Sequence, residues 1–271
     1  MAISLSSLRK VRATLPPRLL IYGPEKIGKT TLASEFPNPV FIQTEDGETA
    51  EEITTFGKLT SFDDVYEAMG SLYSEPHDFA TVVLDSLSAL QPLIWQKVIQ
   101  DRPTTEKGKP VKQIEDYGYG KGYAYALDYW KMLIEGVDAL RRDRNMAIVL
   151  VGHSKVSKIE PPESDAFNRY QVDINDKASD LLAREMDGIL FLKCPIQVKE
   201  EDAGFNATRK RGTGSSIVLI HTDKGNPAYS AGTRYNMPPS LRYDKGKGYE
   251  ALAPYFPGNQ ADEAAEQKDA A

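Results

Sequence analysis

The chain has 271 residues, 41% of them hydrophobic, and a formal net charge of −6; that is enough for one α/β domain with a tail and too little for a second full domain. No apolar stretch approaches the ~18 residues of a membrane span, and Met1-Ala2-Ile3-Ser4 lacks the basic-then-apolar layout of a signal peptide, so no membrane association and a cytosolic location are expected. The lone Cys194 excludes an internal disulfide, and His77, His153 and His221 are too scattered for a zinc site.

In chain order, residues 1–17 form an N-terminal arm that ends in Pro16-Pro17, which stops any helix before the first strand. Leu19-Leu20-Ile21-Tyr22 is an apolar run of strand type. It leads straight into Gly23-Pro24-Glu25-Lys26-Ile27-Gly28-Lys29-Thr30-Thr31, a full G-x-x-x-x-G-K-T match that opens a helix. Glycines there let the backbone wrap a phosphate chain, successive N–H groups supply positive charge, Lys29 reaches the β/γ-phosphates, and Thr30 can ligate Mg²⁺. The helix continues to Phe36, where Pro37 and Pro39 break it. Val40-Phe41-Ile42 is a second strand, ending in Gln43-Thr44-Glu45-Asp46-Gly47. A helix with Ser61 as N-cap follows, then the strand Thr81-Val82-Val83-Leu84-Asp85. A long amphipathic helix over 122–144 precedes a strand over 146–153, and further strands are expected at 188–192 and 217–220. Residues 258–271 are acidic and Ala-rich without an apolar stripe, the pattern of a disordered tail. Apolar strands alternating with amphipathic helices predict an α/β, doubly wound, mainly parallel sheet over 18–257. In such sheets ligands sit beyond the carboxyl ends of the strands, where Gly23, Glu45, Asp85 and His153 all fall.

Asp85 closes its strand before Ser86, the Walker B pattern for a Mg²⁺-holding carboxylate, although Asp-Ser would also start a helix. Glu45 can orient and deprotonate a water attacking a γ-phosphate, or be a solvated acid. His153 can touch that phosphate, or be a satisfied histidine in a strand-end turn.

The series Leu20-Ile21-Tyr22-Gly23 to Gly28-Lys29-Thr30-Thr31, Val40-Phe41-Ile42 to Glu45, Val82-Val83-Leu84-Asp85-Ser86-Leu87 and Ile148-Val149-Leu150-Val151 to His153 resembles a RecA-type ATPase core. It is most similar to short phage-encoded RecA-like ATP-binding proteins that act as single-strand annealing recombinases, and Asp116-Tyr117-Gly118-Tyr119-Gly120 before the long helix strengthens the likeness. The resemblance implies ATP and Mg²⁺ on Lys29 and Thr30, Glu45 as the catalytic carboxylate, Asp85 as the Walker B acid, and His153 at the γ-phosphate sensor position. RecA itself usually carries glutamine or asparagine there.

By the same resemblance two segments would contact single-stranded DNA. The first, 100–123, carries Lys107, Lys109, Lys112 and Lys121 with Tyr117 and Tyr119. The second, 155–177, carries Lys158, Phe167, Arg169 and Tyr170. Lysines would neutralise phosphates and rings would stack on bases, the alternative being long polar surface loops. RecA-like assemblies complete each ATP site with cations from a neighbouring subunit, which makes Lys224 and Arg234 candidates for that role and plain surface charge the alternative. The leading expectation is a Mg²⁺- and ATP-dependent ATPase that assembles with itself on single-stranded DNA and promotes annealing or recombination, with a single-strand-binding protein as a further candidate partner. A nucleotide or metabolite kinase and a non-hydrolysing, ATP-switched replication accessory are the competing readings.

Overall fold

The six residues of β1 (Arg18–Gly23) are all buried, because an apolar strand in the middle of a sheet is covered on both faces. The computed structural model describes residues 14–47, 52–202, 208–214 and 216–257. Most of the arm and the acidic tail lie outside the described residues. Beside β1 run β5 (Ala147–Ile159) on one side and β7 (Gly188–Lys193) on the other, both parallel to it. The sheet continues through β4 (Thr81–Asp85) and β2 (Pro39–Gln43) to β3 (Thr54–Lys58), again all parallel. On the far side, β10 (Val218–His221) and β12 (Ser240–Tyr243) extend it antiparallel, and the short β11 (Gly232–Thr233) pairs with the start of β7.

Alternation along β1 divides the core. Leu20 and Tyr22 face the larger cluster, under α2 (Phe62–Ser74), α3 (Leu87–Asp101), α4 (Lys121–Asp143) and α5 (Asp176–Glu185). Leu19 and Ile21 face the smaller one, under α1 (Lys29–Ser34) and α6 (Gly248–Leu252). The expected N-cap of α2 is present: Ser61 accepts from the Asp64 amide while Asp64 accepts from the Ser61 amide.

Two segments differ from expectation. Residues 155–177 are no loop: β5 runs on past the sheet to Ile159 and pairs antiparallel with β6 (Phe167–Val172), after which α5 begins. Residues 100–123 are also largely ordered. The chain from the end of α3 makes a Thr104–Pro110 bridge and one 3-10 turn (Ile114–Tyr117) before α4. A further hairpin, β8 (Ile196–Asp202) with β9 (Thr208–Gly214), stands apart from the main sheet.

Candidate nucleotide-binding crevice

The order of strands places β5 between β1 and β4, with Gly23 level with His153 and Asp85 level with Val151 and Gln43. The strand ends that carry the motif residues therefore meet at one edge of the sheet. At Gly23 an added Cβ would lie 2.6 Å from the Leu192 carbonyl oxygen, so only glycine fits where the chain leaves β1. Lys26 at φ 58 and Gly28 at φ 100 turn the chain into α1, and Gly28 caps that helix without a side chain.

Lys29 is buried, and its Nζ donates to the carbonyls of Gly23 (3.1 Å) and Pro24 (2.8 Å). Burial pushes its pKa down, opposed by the charges of Asp85, Glu45 and Glu25. Thr30 Oγ1 donates to Asp85 Oδ2 at 2.7 Å. Asp85 is itself buried, and that burial pushes its carboxyl above the usual range, against the bond from Thr30. Ser86 caps α3, its hydroxyl accepting from the Ala89 amide. The helix-start reading of the Asp-Ser pair thus belongs to Ser86, and Asp85 stays turned toward Thr30.

Thr44 fastens the end of β2 to this corner. Its amide donates to the Asp85 carbonyl (2.8 Å), its hydroxyl donates to the Ser86 carbonyl (2.8 Å), and the same oxygen accepts from the Ser86 amide (3.0 Å). Glu45, the next residue, is held against His153, whose Nε2 lies 3.1 Å from both carboxylate oxygens. The bond to His153 holds the Glu45 carboxyl below the usual range, and the same bond holds His153 above 6.5. Each shift favours the charged form of its group. The Ser88 hydroxyl accepts from the His153 amide (3.1 Å), and Nδ1 of His153 is buried without a hydrogen-bond partner. Thr44 and Ser88 escaped the sequence reading because nothing local marks a hydroxyl whose partner lies ~40 to 65 residues away.

These residues suit a nucleotide with Mg²⁺. Thr30 and Asp85 offer two hard oxygens side by side, and the described residues hold no cluster of three or more ligating His, Cys, Asp or Glu that would suit a transition metal instead.

The other sequence-predicted residues scatter. Tyr117 is nine-tenths buried, and its hydroxyl donates to the carbonyls of Val98 (3.1 Å) and Arg102 (2.6 Å), which anchors its ring in the fold. Tyr119 is fully exposed. Lys107, Lys109 and Lys112 are exposed as well, while Lys121 pairs with Glu106 at 2.7 Å and Lys158 with Glu160 at 2.6 Å. Tyr170 stacks on Phe191 at 5.3 Å beneath the Lys193 ammonium, and Arg169 leans on Phe167 while donating to the Pro227 carbonyl. Lys224 is exposed, with its stem over Gly232. Arg234 lies at the opposite edge of the sheet, beside the start of β7, where it bonds Asp187 Oδ1 (3.0 Å) and the Arg184 carbonyl (2.7 Å).

A strand, a G-x-x-x-x-G-K-T loop and a helix on a mainly parallel α/β sheet, with hydroxyl and carboxylate oxygens converging beyond its carboxyl edge, define a P-loop nucleotide-binding protein. Residues 15–234 match the AAA domain family, and the chain belongs to that family. Among solved structures, one titled the crystal structure of the RadB recombinase is similar, with 15% identity, a TM-score of 0.41 and coverage of 80% of this chain and 92% of that one. No curated protein matches the chain. Among the described residues, no helix is long and apolar enough to cross a membrane.

Proposed function

We propose that the chain is a RecA-like ATPase that binds single-stranded DNA and promotes strand annealing or recombination, with ATP hydrolysis resetting it. The observation that carries this reading is the adjacency, at one sheet edge, of the Thr30–Asp85 hydrogen bond and the Glu45–His153 ion pair. The first pair supports a metal-holding role; the second, beside it, supports the handling of a γ-phosphate and its attacking water.

In this reading the loop amides of 24–29 hold the phosphates, and Lys29 exchanges its two carbonyl partners for phosphate oxygens. Thr30 and Asp85 would hold Mg²⁺, which supplies charge neutralisation on the transferring phosphoryl group when bound. Glu45, kept ionised by His153, accepts a hydrogen bond from the attacking water and fixes its line of approach. His153 shares that carboxylate and lies in β5 where that strand passes the end of β1 and runs on into the β5–β6 hairpin. A change at the phosphate thereby reaches a surface that bears Lys158, Phe167 and Arg169. Lys224 remains the candidate cation for a neighbouring subunit's ATP.

The deciding experiment is ATP hydrolysis with and without single-stranded DNA, alongside a sizing measurement. Stimulation by DNA with assembly supports the reading; ADP formation that needs a small-molecule acceptor, with the phosphoryl group transferred to it, and that ignores DNA makes the chain a kinase.

A further inference from the structure

We propose that the hollow between the Thr105–Lys109 turn and the start of α4 receives one unpaired nucleobase of a DNA strand, with the adjoining phosphates on the lysines at its rim. The proposal rests on the single-strand reading above and gives it a defined receptor. The hollow measures about 300 Å³, at the lower end for small-ligand sites.

Its floor is aromatic and fixed. Tyr117, anchored through its hydroxyl, meets Tyr125 edge to face at 5.3 Å, and the Arg102 guanidinium lies 4.4 Å from the centre of the Tyr125 ring. One wall is a closed turn, in which the Thr105 amide donates to the Lys109 carbonyl (2.8 Å) and the Lys109 amide donates to the Thr105 hydroxyl (3.1 Å). The Lys121–Glu106 bridge closes another side. Lys107 and Lys109 make no ion pair among the described residues, and both are exposed.

Tyr119 stands at the mouth. Its φ is 51, between Gly118 and Gly120 at φ 69 each, so three successive residues have positive φ, a range that a bulky side chain rarely adopts. Its ring is fully exposed, so packing offers nothing in return. A ring presented to solvent on a preformed turn, over an aromatic floor and beside free ammonium groups, matches the face of a base with a phosphate on either side. A paired base in duplex already has its faces covered and its edge engaged, which restricts the site to single strands. An extended protein partner would call for a continuous apolar patch, and the hollow is instead small and rimmed with charge.

The test uses ten-residue DNA strands that are fully abasic, carry a single thymine, or are all thymine, bound to the full chain by fluorescence anisotropy over a range of salt. One thymine should raise affinity ~5- to 150-fold over the abasic strand, the equivalent of one stacked base. Tyr119→Ala should erase that gain and Tyr119→Phe keep it. Tyr119→Gly, which relieves the backbone, should behave as Tyr119→Ala, and the salt slope should be the same in all four proteins. If the one-thymine and abasic strands bind alike, or Tyr119→Ala keeps the gain, the base hollow is wrong while charge-led strand binding stands. If the parent binds none of the strands, both proposals fall.

Discussion

Thr30 and Asp85, 55 residues apart in the chain, are joined by a 2.7 Å hydrogen bond between a hydroxyl and a buried carboxylate. That bond ties the phosphate loop to the fourth strand and sets two hard oxygens side by side.

Asp85→Asn follows from it in two directions. Nucleotide affinity should survive, since the loop amides and Lys29 remain, while Mg²⁺-dependent hydrolysis should fall by ~100-fold or more. Burial raises the Asp85 pKa, so its ionised form is disfavoured in the folded protein, and that cost is felt as pH rises through the raised value. The nucleotide-free Asn variant should therefore melt no lower than the parent at neutral pH. Hydrolysis near the parent rate would strip Asp85 of its metal role.

Glu45→Gln should leave nucleotide binding in place and lower hydrolysis ~100- to 10,000-fold, the range for loss of a positioned acid–base group. The pH dependence of the parent follows from the ion pair. His153, raised above 6.5, contributes stability that is complete below 6.5 and lost as pH climbs through its folded value; Glu45, held below 4.5, contributes stability present above 4.5 and lost as pH falls through its own. In Glu45→Gln the His153 titration, followed by its ring proton resonances, should move to lower pH. An unmoved titration would mean that the pair does not form in solution.

At the other edge of the sheet, Asp187 accepts from Arg18 (3.3 Å), Arg141 (2.9 Å) and Arg234 (3.0 Å). Asp187→Ala removes the acceptor shared by two largely buried guanidiniums, leaving Arg18 with Asp138 and Arg141 with the Pro16 carbonyl, and should cost ~3 kcal/mol in urea unfolding. Arg234, whose side chain is 56% exposed, should cost no more than ~1 kcal/mol when replaced by alanine. Its loss should leave ATP turnover per folded molecule unchanged; a large fall in turnover at full stability would restore it as a cation for a neighbour's site.

Strand binding should weaken with salt through Lys107, Lys109 and Lys112. Each neutralised phosphate contributes ~0.7 to the log–log slope on single strands, so the triple alanine variant should be flatter by up to ~2. Equal slopes for parent and variant would remove these lysines from the interface.

The parts of this molecule written in local chemistry were legible from the sequence. The phosphate loop needs glycines and a lysine at fixed spacing, and the buried strands β1, β2, β4, β5, β7 and β10 are runs of apolar residues. β3 escaped because Thr54–Lys58 is an edge strand with mostly exposed side chains. The β5–β6 hairpin escaped because its far part leaves the core, Val156 on it being 57% exposed. Tyr117 and Tyr119 are two residues apart with the same side chain, yet one closes the core and the other faces water. The 3-10 turn decides between them, and it depends on contacts with α3 that no spacing rule reports. The pairing of Arg234 with Asp187 was not legible, because 47 residues separate the two in the chain.

The central claim is that the crevice of Gly23 to Thr30 binds nucleotide. Titration of the full chain and of Lys29→Ala with a fluorescent ATP analogue in Mg²⁺ tests it most directly. The parent should bind, and Lys29→Ala, with its melting transition intact, should lose that binding at least ~100-fold, the scale for removing a charged phosphate partner from a buried site. Equal affinity for the two proteins would contradict the assignment.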